Sequence, residues 1–181
     1  MCLVAAAAML LAACGKETTE AGTGIGNPEP HTDYLVFDGT AYPFVKETSL
    51  TESGFYQVVI TPVNSSDSFF IMLEMKERDV NKPFDLTSST EGNYSIEIDW
   101  ASTTTFSLEA CDGRAFSILS GTSYDDASAV SDGLFYTNLN EVDYSTELDV
   151  SLADGHRILL GTVTPVDSIS YMPFCGGKAL Y

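Results

Sequence analysis

The stretch NYSIEIDW sets two carboxylates, Glu97 and Asp99, two residues apart. On an extended strand such side chains share a face at about 7 Å, a spacing at which paired carboxylates can serve glycoside hydrolysis. Their roles would differ only if the surroundings raised one pKa, and nothing in the sequence supplies such an environment. The plainer reading is the wet face of an amphipathic strand. Trp100 beside them could floor a sugar or lipid site, yet it alternates with Ile96 and Ile98 and so points to core packing. There are two histidines, His31 and His156. With two, no His-based zinc site of ordinary spacing forms, and neither HExxH nor CxxC occurs. Serines are plentiful, but there is no Gly-x-Ser-x-Gly elbow, and a triad would have to recruit His156 from a hairpin tip. The expectation is a non-enzyme with no catalytic residue, cofactor site or metal site.

Four cysteines carry the remaining covalent chemistry. The apolar run from Leu3 to Ala13 ends in LLAAC and is followed at once by Gly15, Lys16 and Glu17. It is too short for a transmembrane helix, which needs about 20 apolar residues, but it suits the apolar part of an export signal. Leu11-Ala12-Ala13-Cys14 resembles the lipobox of bacterial lipoproteins: a large aliphatic residue, two small ones that fit a peptidase cleft, then the cysteine that takes lipid. The resemblance implies cleavage before Cys14 and acylation of Cys14 itself, with several acyl chains anchoring more firmly than one. Cys2 leaves with the signal, so Cys111 and Cys175 remain as two thiols in a compartment where disulfides persist. An even count predicts a bond between them. It would close a loop of about 65 residues, which stabilises by roughly 4 kcal/mol in the chain-entropy model.

Charge excludes other attachments. With 26 Asp and Glu against 8 Lys and Arg, the net charge of −18 repels phosphate backbones and anionic headgroups alike, so nucleic acid is not a partner and the membrane is met through lipid. No Lys or Arg stands between Arg114 and Arg157, where eight acidic residues fall. None of them has the Asp-x-Asp-x-Asp-Gly spacing that wraps calcium, so the segment reads as a solvated acidic face. Residues 1–13 are then the signal peptide, 14–33 the lipidated cysteine and a flexible tether, and 34–181 one β domain. The tether GKETTEAGTGIGNPEPHTD is too polar to order itself and as a coil would hold the domain about 25 Å from the bilayer.

In the domain the hydrophobic period is two almost throughout, which predicts an all-β fold. YLVF and TAYPF flank Asp38-Gly39, a tight hairpin turn, and Pro43 puts the second strand or its end at a sheet edge. FYQVVITPV and SFFIMLEMK are two more strands, the apolar FFIML predicting cover on both faces. NYSIEIDW and TTFSLEAC alternate, and RAFSIL pairs back through Cys111-Asp112-Gly113. Ser120 to Gly133 reads as a polar loop. LFYTNL leads into EVDYSTELDVSL, where Val142, Tyr144, Thr146, Leu148, Val150 and Leu152 share a face. A three-residue turn, Ala153 to Gly155 with Gly155 left-handed, pairs Val150 with Ile158 and Leu148 with Leu160; a two-residue turn would set polar against apolar.

VFDGTAYPF, PFDLTSSTEGNYSI and LDVSLADGHRILLGTVTPV together resemble the small secreted lipoproteins of Bacteroidetes and similar Gram-negative bacteria, which run from an Asp-Gly-x-x-Tyr-Pro hairpin to a strand, Asp-Gly turn, strand unit. The resemblance implies a lipid-anchored antiparallel β-sandwich or flattened barrel, expected here with about 8–10 strands, on the outer membrane or cell surface. It carries over no catalytic residues. Two functions stay open: a non-catalytic module presenting a β scaffold to a protein or glycan partner, and a carrier whose sheet closes into a calycin- or lipocalin-like barrel around a small apolar ligand. A glycoside-active enzyme using Glu97 and Asp99 is a distant third. A carrier needs a cavity of about 300 Å³ or more, whereas the rich Phe, Leu, Ile and Val content favours a filled sandwich.

Overall fold

In the computed structural model, residues 32–63, 69–87, 92–100, 103–111, 114–119, 122–124 and 128–172 are described. Among them the fold is all-β: β1 (Tyr34–Phe37), β2 (Thr40–Ala41), β3 (Phe44–Thr51), β4 (Phe55–Pro62), β5 (Phe69–Lys76), β6 (Pro83–Asp85), β7 (Tyr94–Trp100), β8 (Thr104–Cys111), β9 (Arg114–Leu119), β10 (Thr122–Tyr124), β11 (Val130–Leu139), β12 (Asp143–Leu152), β13 (Arg157–Pro165) and β14 (Ser170–Met172). They form two sheets, one ordered β2-β1-β13-β12-β11-β6 and the other β10-β9-β8-β7-β5-β4-β3-β14. The pairings are antiparallel except that of β14, which runs parallel to β3. The architecture is an open β-sandwich. The closed, lipocalin-like alternative is thereby corrected: each sheet ends in two edge strands instead of pairing its edges.

Turn chemistry sets the registers. Asp38 and Gly39 both have positive φ, 49° and 78°, and pair Phe37 with Thr40. This is the backbone that an Asp-Gly hairpin supplies at little cost. Gly155, at φ 97°, closes the three-residue turn, and Leu148 faces Leu160 while Val150 faces Ile158 as expected. A slip of one residue would put Ser151 and Asp149 against the core partners instead.

Both sheets present their inner faces to one core. Ile60, Ile71, Ile96, Ile98, Phe106 and Leu108 from the large sheet meet Leu35, Phe135, Leu148, Val150, Ile158 and Leu160 from the small one, all fully buried. Each such side chain contributes about 1.5–3 kcal/mol relative to exposure. At one end Trp100 lies between two rings, 3.9 Å from Phe37 and 4.3 Å from Phe69, both nearly parallel to it, with Tyr42 edge-on at 4.8 Å. Phe37 belongs to the small sheet and Phe69 to the large one, so the indole ties the two layers. Towards the other end the core turns polar. Tyr144 stacks on Tyr56 at 4.7 Å, and the Thr48 and Thr164 hydroxyls bridge the sheets at 2.7 Å. Burial pushes the Tyr144 phenol far above its usual range, despite the Thr146 and Thr137 hydroxyls beside it.

Four expectations change. FFIML is not covered on both faces: Phe69, Ile71 and Leu73 are buried, but Phe70 is exposed on the outer face, where Gln57 half-covers Met72 through an amide contact to its sulfur. The polar stretch after Ser120 holds β10 and the start of β11, so it is not one long loop. Val142 is 73 % exposed and precedes β12, because the Asn140 carboxamide accepts the N–H groups of both Val142 and Asp143 and turns the chain there. The strands number fourteen among the described residues, more than the 8–10 expected, the excess being short edge strands.

Those edges are brief: β2 has two residues, and β6, β10 and β14 have three each. Short edges limit pairing with other chains. Beyond β1 the free side of β13 is closed by side chains instead. Asp33 Oδ1 accepts the Val163 N–H at 2.9 Å, and Lys46 Nζ donates to the Val163 carbonyl at 2.6 Å while pairing with Asp33.

Candidate functional site

Glu97 and Asp99 stand on the outer face of the large sheet. Glu97 lies opposite Met72 and Ser107, and Asp99 opposite Phe70 and Thr105. The Thr105 hydroxyl donates to Asp99 at 3.3 Å. His156 is on the small sheet, so the carboxylate pair and the histidine do not converge. Trp100 is 3 % exposed and belongs to the core described above. Cys111 ends β8 with its side chain exposed. Cys14, His31 and Cys175 lie outside the described residues. Among the described residues no group of three or more His, Cys, Asp or Glu side chains is placed to hold a metal ion.

The arrangement that does assemble polar and aromatic groups is on the outer face of the small sheet. One row across four strands reads Tyr136, Glu147, Gly161, Tyr34. Gly161 sits inside a strand, where glycine often marks a close approach. Here the approach is the Tyr34 ring. A Cβ on Gly161 would meet Tyr34 Cζ at 2.8 Å and Cδ1 at 2.9 Å, with Cε1 closer still. Three consecutive ring atoms at similar distances mean that the ring lies across the glycine and does not merely point at it. Tyr34 remains 38 % exposed, so its other side faces out.

Acidic groups surround the ring. Burial raises the Tyr34 phenol above its ordinary pKa, and the charges of Glu147 and Asp149 raise it further, which keeps the hydroxyl protonated. Asp149 is held by a two-point fork from Arg157, Nη2 to Oδ2 at 3.0 Å and Nε to Oδ1 at 3.3 Å. At the other end of the row the Tyr136 hydroxyl accepts from Asn138 Nδ2 at 3.3 Å, and the same amide donates to Asn81 Oδ1 at 3.0 Å. Leu134, the next outward residue of β11, is exposed.

Elsewhere a concavity of about 380 Å³ opens between β3 and β13 and is lined by Lys46, Thr48, Val163, Thr164, Ser168 and Ser170 among others. Its cation is engaged by Asp33 and the Val163 carbonyl.

Sequence reasoning passed over Tyr34, Tyr136, Glu147 and Gly161. The one available signal was Gly161 itself, interrupting the apolar run of RILLGTVTPV. Comparison with protein-family models, with curated proteins and with solved structures finds no match.

Proposed function

We propose that the chain is a non-catalytic, lipid-anchored protein of the outer membrane or cell surface that presents a rigid β scaffold to a protein or glycan partner. The observation that carries this reading is the aromatic and carboxylate row on the outer face of the small sheet, held on paired strands while the space between the sheets is taken up by side chains. A scaffold of this kind recognises from its surface. The apolar-carrier alternative finds less support, because the inner faces meet in close-packed rings and aliphatics. The glycoside-active alternative rests on Glu97 and Asp99 alone, whose cross-strand neighbours are Met72, Ser107, Phe70 and Thr105 and include no third acid or histidine among the described residues. Attachment through Cys14 follows from the lipobox resemblance, and the polar segment after it would serve as the tether.

Two measurements on the native cell test the proposal. Mass spectrometry of membrane-purified protein is expected to find an acylated Cys14 at the N-terminus, and Cys14→Ser to leave the membrane fraction. A photo-crosslinking residue at Leu134 on the small sheet is expected to give an adduct on intact cells, whereas one at Val45 on the large sheet gives none. A Cys14→Ser protein that stays membrane-bound, or no adduct from Leu134, overturns the reading.

A further inference from the structure

We propose that the outer face of the small sheet binds a neutral oligosaccharide, with Tyr34 as the stacking platform and Glu147 and Asp149 as acceptors for sugar hydroxyls. This rests on the scaffold reading above and names the ligand class and the residues.

Four features point to sugar. First, Tyr34 lies across Gly161 with one side on the backbone and the other in solvent. A ring in that attitude offers its π face, which is the surface that the C–H side of a pyranose covers; an aromatic that points outward offers only an edge. Second, the polar groups beside the ring are carboxylates, which when ionised accept several hydrogen bonds each, so sugar hydroxyls can donate to them alongside the partners they already have. Third, the local charge is negative, with Glu147 and Asp149 both acting on Tyr34, so sulfated or uronic polymers are repelled and neutral or amino sugars are not. Fourth, the groups are fixed before any ligand arrives. Strand pairing holds the backbones, the Arg157 fork holds Asp149, and Asn138 holds the Tyr136 hydroxyl, so little conformational freedom remains to be lost on binding.

Length follows from the register. Tyr136 and Tyr34 are separated by three strand spacings, about 14 Å between backbones. That exceeds a single sugar ring, so the ligand is a chain that runs across the strands from one tyrosine to the other over Glu147.

The test is calorimetric titration of the full-length chain in detergent with cellohexaose, maltohexaose, xylohexaose, mannohexaose and chitohexaose, with heparin as the polyanionic control. At least one neutral hexasaccharide is expected to bind saturably and heparin not to bind. Tyr34→Ala should weaken that binding by about tenfold or more, as loss of one stacked ring does. Tyr34→Phe, which keeps the ring, should stay within about threefold of wild type. Should Tyr34→Ala unfold by uncovering Gly161, Glu147→Gln carries the test, with a loss of about fivefold expected from one charge-assisted hydrogen bond. A Glu97→Gln, Asp99→Asn double variant on the opposite sheet should bind as wild type does. Absence of binding to all five sugars, binding indifferent to both Tyr34 and Glu147, or tighter binding of heparin overturns the proposal. If the sugars fail while Leu134 still crosslinks to a protein on cells, the sugar is wrong and the scaffold stands; if both fail, the scaffold reading fails with it.

Discussion

His156 Nδ1 lies 2.7 Å from Asp38 Oδ2, while the other oxygen of that carboxylate accepts the Arg157 N–H at 2.9 Å, so one aspartate joins the tips of two hairpins that are 118 residues apart in the chain. Partial burial alone would raise the Asp38 pKa, but the Arg157 N–H and the His156 imidazole outweigh it and hold the carboxyl below its ordinary value. A depressed folded-state pKa contributes stability above the unfolded value, near 3.9, and loses it as pH falls through the folded one. Asp38→Asn keeps the left-handed turn, which Asn also favours, and removes the charge. The variant should therefore melt below wild type near pH 5, by a difference corresponding to about 1 kcal/mol for an exposed pair plus its backbone cap. The gap should close towards pH 2.5. Thermal melts followed by circular dichroism across that range check it, and a gap that widens in acid contradicts the assignment.

Trp100 should be the most costly single truncation among the aromatics. Its removal leaves Phe37 and Phe69 facing a void between the layers, for which Trp→Ala changes typically cost about 3–5 kcal/mol. Trp100→Phe should cost less, because a ring still bridges the sheets. Urea unfolding gives both values. As the only tryptophan, Trp100 also reports on its own burial, and native indole emission should shift to longer wavelength across the transition.

Cys111 should react as a free thiol in the folded protein. It shares a transverse row with Asn93, Lys76, Phe55, Thr51 and Met172. Five strand spacings separate it from Met172, about 24 Å along the sheet. Three residues beyond Met172 extend at most about 11 Å, and a disulfide needs Cα atoms within about 7 Å. Labelling with a maleimide under native, non-reducing conditions is expected to modify Cys111. Protection of both Cys111 and Cys175 until reductant is added would restore the pairing predicted from their even number.

The carboxylate pair should prove chemically idle. Glu97→Gln with Asp99→Asn is expected to change unfolding free energy by less than about 0.5 kcal/mol, as exposed substitutions usually do. Neither wild type nor the double variant should cleave aryl glycosides. Cleavage by wild type that disappears in the variant would establish the hydrolase reading.

What the sequence made legible was local. The Asp38-Gly39 turn and the Gly155 register could be inferred because a short loop allows few pairings and the side-chain polarity of β12 and β13 rejects all but one. FFIML misled because an unbroken apolar run looks the same whether both faces are covered or one is left with an exposed Phe70; only the neighbouring layer distinguishes them. β14 escaped notice because a three-residue strand beside Pro173 has no periodicity to detect. The Asp38–His156 contact and the Tyr34 ring over Gly161 were invisible for a different reason. Each joins residues more than a hundred positions apart, and the chemistry arises only after the topology has brought them together.

Both sheets depend on the end of the chain for strands near its beginning. β1 finds its longer partner in β13, and the outer side of β3 is filled by β14, so neither early element is fully paired until β13 and β14 have formed. Such distant pairings slow folding, since loop closure comes before any contact rewards it. Until β13 and β14 form, β1 is paired only with the two residues of β2 and β3 only with β4, each with its other side open. A chain made N-terminus first therefore holds its hairpins before it holds either complete sheet, and β13 and β14 finish both.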